Sequence, residues 1–125
     1  MRIAIDSNRY ADLQKGDEFT VGVVRRSNEI WMPFIVLAEL RAGFANGTQR
    51  DKNEKFLVRF LASPRVKVLF ADDQTTHFYA DLFRELRRNG RPVPTNDLWI
   101  AALTIQHDLQ LLDRDTDFDA FSRLS

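Results

Sequence analysis

One stretch near the end of the chain, residues 94–118, restricts the fold more than any other. It begins with a proline, followed by Thr95, Asn96 and Asp97, which are residue types that start helices. Apolar residues then recur at the helical spacing of three and four positions, namely Leu98, Ala101, Ala102, Ile105 and Leu109. The short apolar run at 109–112 follows and predicts a buried strand. A helix that leads directly into a buried strand predicts an α/β fold.

Three acidic residues, Asp113, Asp115 and Asp117, crowd the turn after this predicted strand. In open α/β sheets, binding sites form at the carboxyl ends of the strands. Carboxylate oxygens are the ligands that Mg²⁺ and similar hard cations prefer in proteins. Acids gathered at the end of this strand therefore indicate metal chemistry.

The N-terminus shows the same arrangement. Residues 2–5 form a short, mainly apolar run, and Asp6 follows it directly, with Ser7 and Asn8 next. A second buried strand that ends in an acid is therefore predicted here. The functional interpretation of the two strand ends is that distant carboxylates meet in one acidic pocket.

Glu39 is the only charged residue within the apolar run at residues 34–40. Burying an unpaired carboxylate is costly, so Glu39 is expected to be paired or functional. The other acids have simpler alternative explanations. Asp97 could be a charge that favours the start of a helix, Asp6 could cap a helix, and the acids after residue 112 could be ordinary loop residues.

The rest of the chain alternates helices with short apolar strands. Helices are predicted at residues 7–14, 18–26, 34–44, 49–62 and 73–89, and strands at residues 29–33 and 66–70. Phe19 and Phe83 are among the helix residues expected to face the core. This alternation, without a tight hairpin signal, predicts a parallel sheet covered on both faces. No repeat or linker interrupts residues 1–125, so one domain is expected, with a last edge strand that is short or absent.

Composition excludes several classes of protein. The formal net charge is zero, so any binding of nucleic acid must depend on a local basic patch. There are no cysteines, which excludes disulfides and thiolate metal sites. No apolar run approaches the roughly 20 residues needed to span a bilayer, and the N-terminus does not read as a signal peptide. A soluble, cytoplasmic protein without a membrane partner is therefore expected.

Taken together and in order, four segments resemble the PIN domain, and more narrowly the VapC family of ribonuclease toxins. They are residues 6–8 (Asp-Ser-Asn), 37–40 (Leu-Ala-Glu-Leu), 95–102 (Thr-Asn-Asp-Leu-Trp-Ile-Ala-Ala) and 111–118. The segment at 95–102 is the specific signal, and the two shorter ones would be weak alone. The resemblance covers essentially the whole chain and implies a three-layer α/β/α fold with a short central parallel sheet.

The resemblance also implies an activity and a site. The family's metal-binding acids match Asp6, Glu39, Asp97 and Asp115, which implies a Mg²⁺- or Mn²⁺-dependent endoribonuclease. It further implies a homodimer and a cognate antitoxin that blocks the acidic groove, often with an inserted arginine. Asp113 departs from the family, which usually has Thr or Ser there, and could be a further ligand or weaken substrate binding.

Some residues have secondary roles in this interpretation. Ser7 stands where the family more often has Thr, and it keeps the hydroxyl. Asn8 is expected to support the metal ligands without binding the metal itself. Asp117 is a weaker candidate for the site acid of this loop than Asp115. Basic residues that could hold RNA phosphates are Arg84, Arg87 or Arg88, Arg91 and Arg114, with a second stripe at Lys52, Lys55 and Arg59. For any single one of these, a solvated helix face is the commoner explanation.

Two alternatives remain open from the sequence. A PIN-like module could keep these acids for stability or metal-dependent RNA binding and cleave weakly or not at all. An aspartyl-phosphate phosphotransferase is a second alternative, because Asp6 follows a first strand. Asn8 stands where a second Asp would be expected for that enzyme, and no Gly-rich phosphate loop is present.

Overall fold

A four-stranded parallel sheet forms the centre of the molecule in the computed structural model, which describes residues 1–114. In the order of the chain, the strands are β1 (Arg2–Ile5), β2 (Glu29–Pro33), β3 (Val66–Leu69) and β4 (Gln110–Leu112). The helices are α1 (Ser7–Lys15), α2 (Glu18–Arg26), α3 (Phe34–Asn46), α4 (Arg50–Leu61), α5 (Asp73–Asn89) and α6 (Thr95–Gln106). The three-layer α/β/α arrangement expected from the sequence is confirmed.

The strands lie in the order β3-β2-β1-β4, so β1 is an inner strand. Ile3 pairs with Ile30 of β2, and Ile5 pairs with Leu112 of β4. Three consecutive residues of β1, from Ile3 to Ile5, are buried. Consecutive burial is expected when helices cover both faces of a parallel sheet.

Short polar residues and glycines mark the helix ends. Asp6 caps α1, Asp17 caps α2, and Asp72 forms a capping box at the start of α5. Gly16 and Gly90 follow α1 and α5 with positive φ angles of 82° and 64°, a conformation that glycine adopts without a steric cost. These local signals explain why the predicted helix boundaries agree closely with the structure.

The core prediction was wrong for two phenylalanines. Phe19 is 59% exposed and Phe83 is 46% exposed, whereas their neighbours Val23 and Leu82 are buried. The Phe19 ring lies under the guanidinium of Arg9, and Phe83 stacks on the partly buried ring of Tyr79. Helical spacing identifies one side of a helix but not how far the packing extends around it.

In the part of the chain that the structure describes, none of the helices combines the length and apolar character needed to cross a membrane.

Candidate active site

Two strand ends at the carboxyl edge of the sheet place acidic residues on adjacent strands. Asp6 follows β1 and Asp113 follows β4, and these strands pair with each other. The register joins Ile5 to Leu112, and the Asp6 amide donates a hydrogen bond to the Leu112 carbonyl at 3.2 Å. Asp6 and Asp113 therefore occupy equivalent positions at the edge where α/β proteins form their sites.

The Asp6 residue is almost fully buried, with 4% of its surface exposed. Its Oδ1 atom accepts a hydrogen bond from the backbone amide of Arg9 at 2.8 Å and so caps α1. The sequence left open whether Asp6 is a cap or a metal ligand, and the structure shows the cap. A capping hydrogen bond to one carboxylate oxygen does not by itself exclude metal binding, because each oxygen has two lone pairs.

Glu39 lies on α3, half-buried, and both of its carboxylate oxygens accept hydrogen bonds. The Ser7 hydroxyl donates to Oε1 at 2.7 Å, and the Asn96 side-chain amide donates to Oε2 at 3.3 Å. Ser7 is the neighbour of Asp6, and Asn96 is the neighbour of Asp97. Glu39 therefore joins the chain segments that carry Asp6 and Asp97. Of the two roles that the sequence left open, the structure shows hydrogen bonds to neutral partners, and a functional role stays a prediction.

Asp97 is buried, with 9% of the residue exposed, and lies in the first turn of α6. The residue before that helix, Pro94, makes no side-chain capping hydrogen bond. An acid in the first turn of a helix is favoured by the helix dipole. The position of Asp97 therefore suits a helix-start charge, and the hydrogen bond from its neighbour Asn96 to Glu39 brings the start of α6 to that carboxylate.

The donor chemistry of this edge suits a hard divalent cation. Asp6, Glu39 and Asp97 present carboxylate oxygens, which Mg²⁺ and Mn²⁺ prefer to nitrogen or sulfur ligands. Within residues 1–114, no three His, Cys, Asp or Glu side chains form a group that could hold a metal by themselves. The predicted site acids Asp115 and Asp117 lie outside the described residues. Their roles stay predictions.

Sequence reasoning missed Arg9, which contacts both strand ends. Its backbone amide donates to Asp6, and its Nε donates to the backbone carbonyl of Asp113 at 3.2 Å. One sequence signal could have identified it. Arg9 stands three residues after Asp6, on the helix that Asp6 caps, where a long charged side chain can return towards the sheet edge.

The predicted RNA-binding residues are dispersed over the surface. Arg114 forms an ion pair with Asp12 at 3.1 Å, and Arg84 lies 3.9 Å from Asp81. Arg87 and Arg91 line an apolar surface cavity of 490 Å³ beside the loop that leads to α6. Three further basic residues, Lys52, Lys55 and Arg59, line another cavity on α4.

Asn8 is exposed on the first turn of α1.

Comparison with known proteins shows which family this chain resembles. The PIN domain profile matches residues 3–124. Ribonuclease VapC5 of Mycobacterium tuberculosis is 34% identical over 86 residues, which are 69% of this chain and 64% of that protein. Ribonuclease VapC1 of Haemophilus influenzae is 34% identical over 98 residues, which are 73% of this chain and 72% of that protein.

A solved structure is similar over almost the whole length. VapBC2 from Rickettsia felis, crystallised with a DNA fragment from its promoter, superposes with a TM-score of 0.87 and 25% sequence identity. The superposition covers 99% of this chain and 96% of that chain.

Proposed function

The chain belongs to the PIN-domain family and to the VapC ribonucleases within it, and from this premise we propose that it is a metal-dependent endoribonuclease. Its proposed substrate is RNA, whose phosphodiester bonds it hydrolyses with Mg²⁺ or Mn²⁺ as the toxin of a toxin–antitoxin pair. The observation that carries this proposal is the position of Glu39. That carboxylate is hydrogen-bonded to the neighbours of both Asp6 and Asp97.

In the proposed site, Asp6, Glu39, Asp97 and Asp115 hold the cation. When bound, a divalent cation supplies the acidification of water and the neutralisation of charge that phosphodiester hydrolysis requires. Ser7 and Asn96 orient the Glu39 carboxylate by donating to one oxygen each. Burial of Asp6 and Asp97 limits the access of solvent, which strengthens their interaction with a cation.

The proposed partners follow from the family. A cognate antitoxin is the regulator, and the similar structure from Rickettsia felis is a VapBC complex. We also propose a homodimer of single-domain chains, residues 1–125, that acts in the cytoplasm, where its RNA substrate is present. Binding of the antitoxin across the carboxyl edge of the sheet would exclude RNA from the acids.

The proposal is tested by RNA cleavage with purified protein in EDTA, Mg²⁺ and Mn²⁺. Cleavage should stop in EDTA and return with either cation, because every proposed ligand is a hard oxygen donor. Asp6→Asn, Glu39→Gln, Asp97→Asn and Asp115→Asn should each remove most turnover, and Asp117→Asn should remove less. Asn96→Ala, which removes a group that orients a ligand, should cost about 10- to 100-fold.

Glu18→Gln provides the matched control, since Glu18 is an exposed acid on α2. It should cleave RNA at the wild-type rate. Undiminished cleavage in excess chelator would contradict the proposed mechanism. Retention of RNA by the wild type without turnover in Mn²⁺ would instead identify a PIN-like RNA-binding module.

A further inference from the structure

Arg9 joins the two ends of the candidate site. Through its backbone amide it donates to the Asp6 carboxylate at 2.8 Å, and through its side-chain Nε it donates to the Asp113 carbonyl at 3.2 Å. Asp6 ends the inner strand β1, and Asp113 ends its neighbour β4. A change in the position of Arg9 would therefore alter the position of Asp113 relative to Asp6.

The guanidinium of Arg9 is itself held from several sides. Its Nη1 atom lies 3.4 Å from an Asp12 carboxylate oxygen, 3.4 Å from the Thr20 hydroxyl and 4.0 Å from an Asp17 carboxylate oxygen. The group also lies over the Phe19 ring at 5.0 Å, and 19% of the side chain is exposed. Contacts from α1 and α2 thus orient the side chain towards Asp113.

The charges around Arg9 compensate one another. Asp12 pairs with both Arg9 and Arg114, the residue after Asp113, which gives the chain leaving β4 a second attachment. Hydrogen bonds from the Thr20 hydroxyl and amide, together with the two arginine charges, hold the pKa of Asp17 below its usual value. Two acids therefore face two arginines, and the Arg9 charge is engaged by protein groups.

We propose that Arg9 is a positioning residue that sets the placement of Asp113, directly after β4, relative to Asp6, and hence the geometry of the proposed cation site. The inference rests on the proposed function. A guanidinium suits this task because its planar set of donors can contact a carbonyl and a carboxylate at the same time. Lysine would keep the charge but lacks this rigid arrangement of donors.

The test compares Arg9→Lys and Arg9→Gln with Arg2→Gln at pH 7. Arg2 is a matched control because it also contacts a carboxylate, Glu29, and a backbone carbonyl, that of His107, but from the other end of β1. Three quantities are measured: the melting temperature in EDTA, the Mn²⁺ affinity of metal-free protein by titration calorimetry, and kcat and KM for RNA cleavage.

Both Arg9 variants should bind Mn²⁺ about 10- to 100-fold more weakly than the wild type, as is typical when a group that orients ligands is lost. They should lower kcat while KM for RNA stays within about twofold, since Arg9 does not touch the substrate in this proposal. Arg2→Gln should leave the Mn²⁺ affinity unchanged. A purely structural role would lower the melting temperature of the Arg9 variants without changing their Mn²⁺ affinity.

Unchanged Mn²⁺ affinity in a folded Arg9 variant would overturn the inference while leaving the proposed function intact. A raised KM with normal kcat would also overturn it, because it would assign Arg9 to RNA binding. If the Arg9 variants fail to fold, the Mn²⁺ affinity of Asp12→Asn tests the inference instead. This substitution removes the charge shared by Arg9 and Arg114, so weaker Mn²⁺ binding is expected and normal binding contradicts the inference. A wild type that neither binds Mn²⁺ nor cleaves RNA overturns both proposals.

Discussion

At the scale of single residues, Glu39 illustrates how a carboxylate is accommodated in an apolar helix. Its neighbours Val36 and Leu40 are buried, yet Glu39 itself is half-buried and accepts hydrogen bonds at both oxygens. Hydrogen bonds to a charged group are stronger than those between neutral groups, and they offset part of the cost of desolvation. The polar contacts that orient Glu39 thus also make its position tolerable for the fold.

Tyr10 presents the opposite case. It is fully buried, and its hydroxyl makes no hydrogen bond to any group in the described part of the chain. Burial, and secondly the negative charge of Glu54, raises the pKa of Tyr10 to about 12. The rings of Phe56 and Phe60 pack edge-on against it. The tyrosine is therefore held in the core by its ring and is disfavoured there as a phenolate.

We predict that Tyr10→Phe changes stability mainly at alkaline pH. The folded pKa lies above the unfolded value of about 10, so the protonated form stabilises the native state. This contribution is complete below about pH 10 and is lost as the pH rises from about 10 to 12. Over this pH range the free energy of unfolding of the wild type should fall by about 2 kcal/mol through this titration, and that of Tyr10→Phe should not.

Urea unfolding of both proteins at pH 7 and at several values above pH 9.5 measures this difference. At pH 7 the variant should be as stable as the wild type or more stable by up to about 1 kcal/mol, because a buried hydroxyl without a partner is removed. Parallel loss of stability in the two proteins at alkaline pH would contradict the prediction.

At the scale of elements, one polar cluster connects the start of α5 to the end of α6. Asp72 accepts hydrogen bonds from the Thr75 amide and from the Gln106 side chain, and the Thr75 hydroxyl donates to Gln106 at 2.6 Å. The Gln106 amide, followed by the Thr75 amide, holds the pKa of Asp72 below its usual value. The cluster fixes α6, whose first turn carries Asp97, against α5.

We predict that Asp72→Ala lowers the melting temperature at pH 7 by roughly 3–6 °C, because it removes both a helix cap and a contact between helices. Asp73→Ala is the control, since Asp73 is the next acid in the first turn of α5 but does not cap it. It should shift the melting temperature much less. Equal shifts in the two variants would show that the lost charge, rather than the cap, is responsible.

The same cluster predicts that stability depends on pH in the acidic range. A carboxyl whose folded pKa is lowered contributes stability above its unfolded pKa of 3.8, and that contribution disappears as the pH falls through the folded value. The difference in melting temperature between wild type and Asp72→Ala should therefore shrink below about pH 4.

At the scale of the whole molecule, the topology brings acids from distant segments to one edge. Because β1 lies between β2 and β4, the residues that directly follow β1 and β4 are adjacent. Helix α3 follows β2, which is the other neighbour of β1. In the proposed site, the carboxylates of Asp6, Glu39, Asp97 and Asp115 would repel one another when no cation is bound. The proposed site should therefore be maintained at some cost to the metal-free fold.

We predict that Asp97→Asn, without metal, melts at the same temperature as the metal-free wild type or higher, because neutralising one acid relieves repulsion. Mg²⁺ should raise the melting temperature of the wild type by binding only the native state, and it should raise that of the variant less. If Asp97 serves only as a helix-start charge, its loss should cost about 0.3–1 kcal/mol with or without metal. Melting curves in EDTA and in Mg²⁺ separate these outcomes.

Much of this protein follows from local sequence patterns. Apolar periodicity predicted the helices and strands. In the structure, Asp6 and Asp17 cap helices and Gly90 ends one, through interactions that span only a few positions. The alternation of elements was sufficient to predict a parallel sheet, because parallel strands require helical crossovers. The family followed from motifs that extend over at most eight consecutive residues each.

The contacts of the candidate site were decided only by the tertiary structure. Ser7 and Glu39 are 32 positions apart, Asn96 and Glu39 are 57 apart, and Arg9 and Asp113 are 104 apart. Periodicity does not encode such pairs, because they depend on strand order, on register and on the direction in which each helix leaves the sheet. The same physical reason explains why Phe19, expected in the core, instead lies exposed against Arg9.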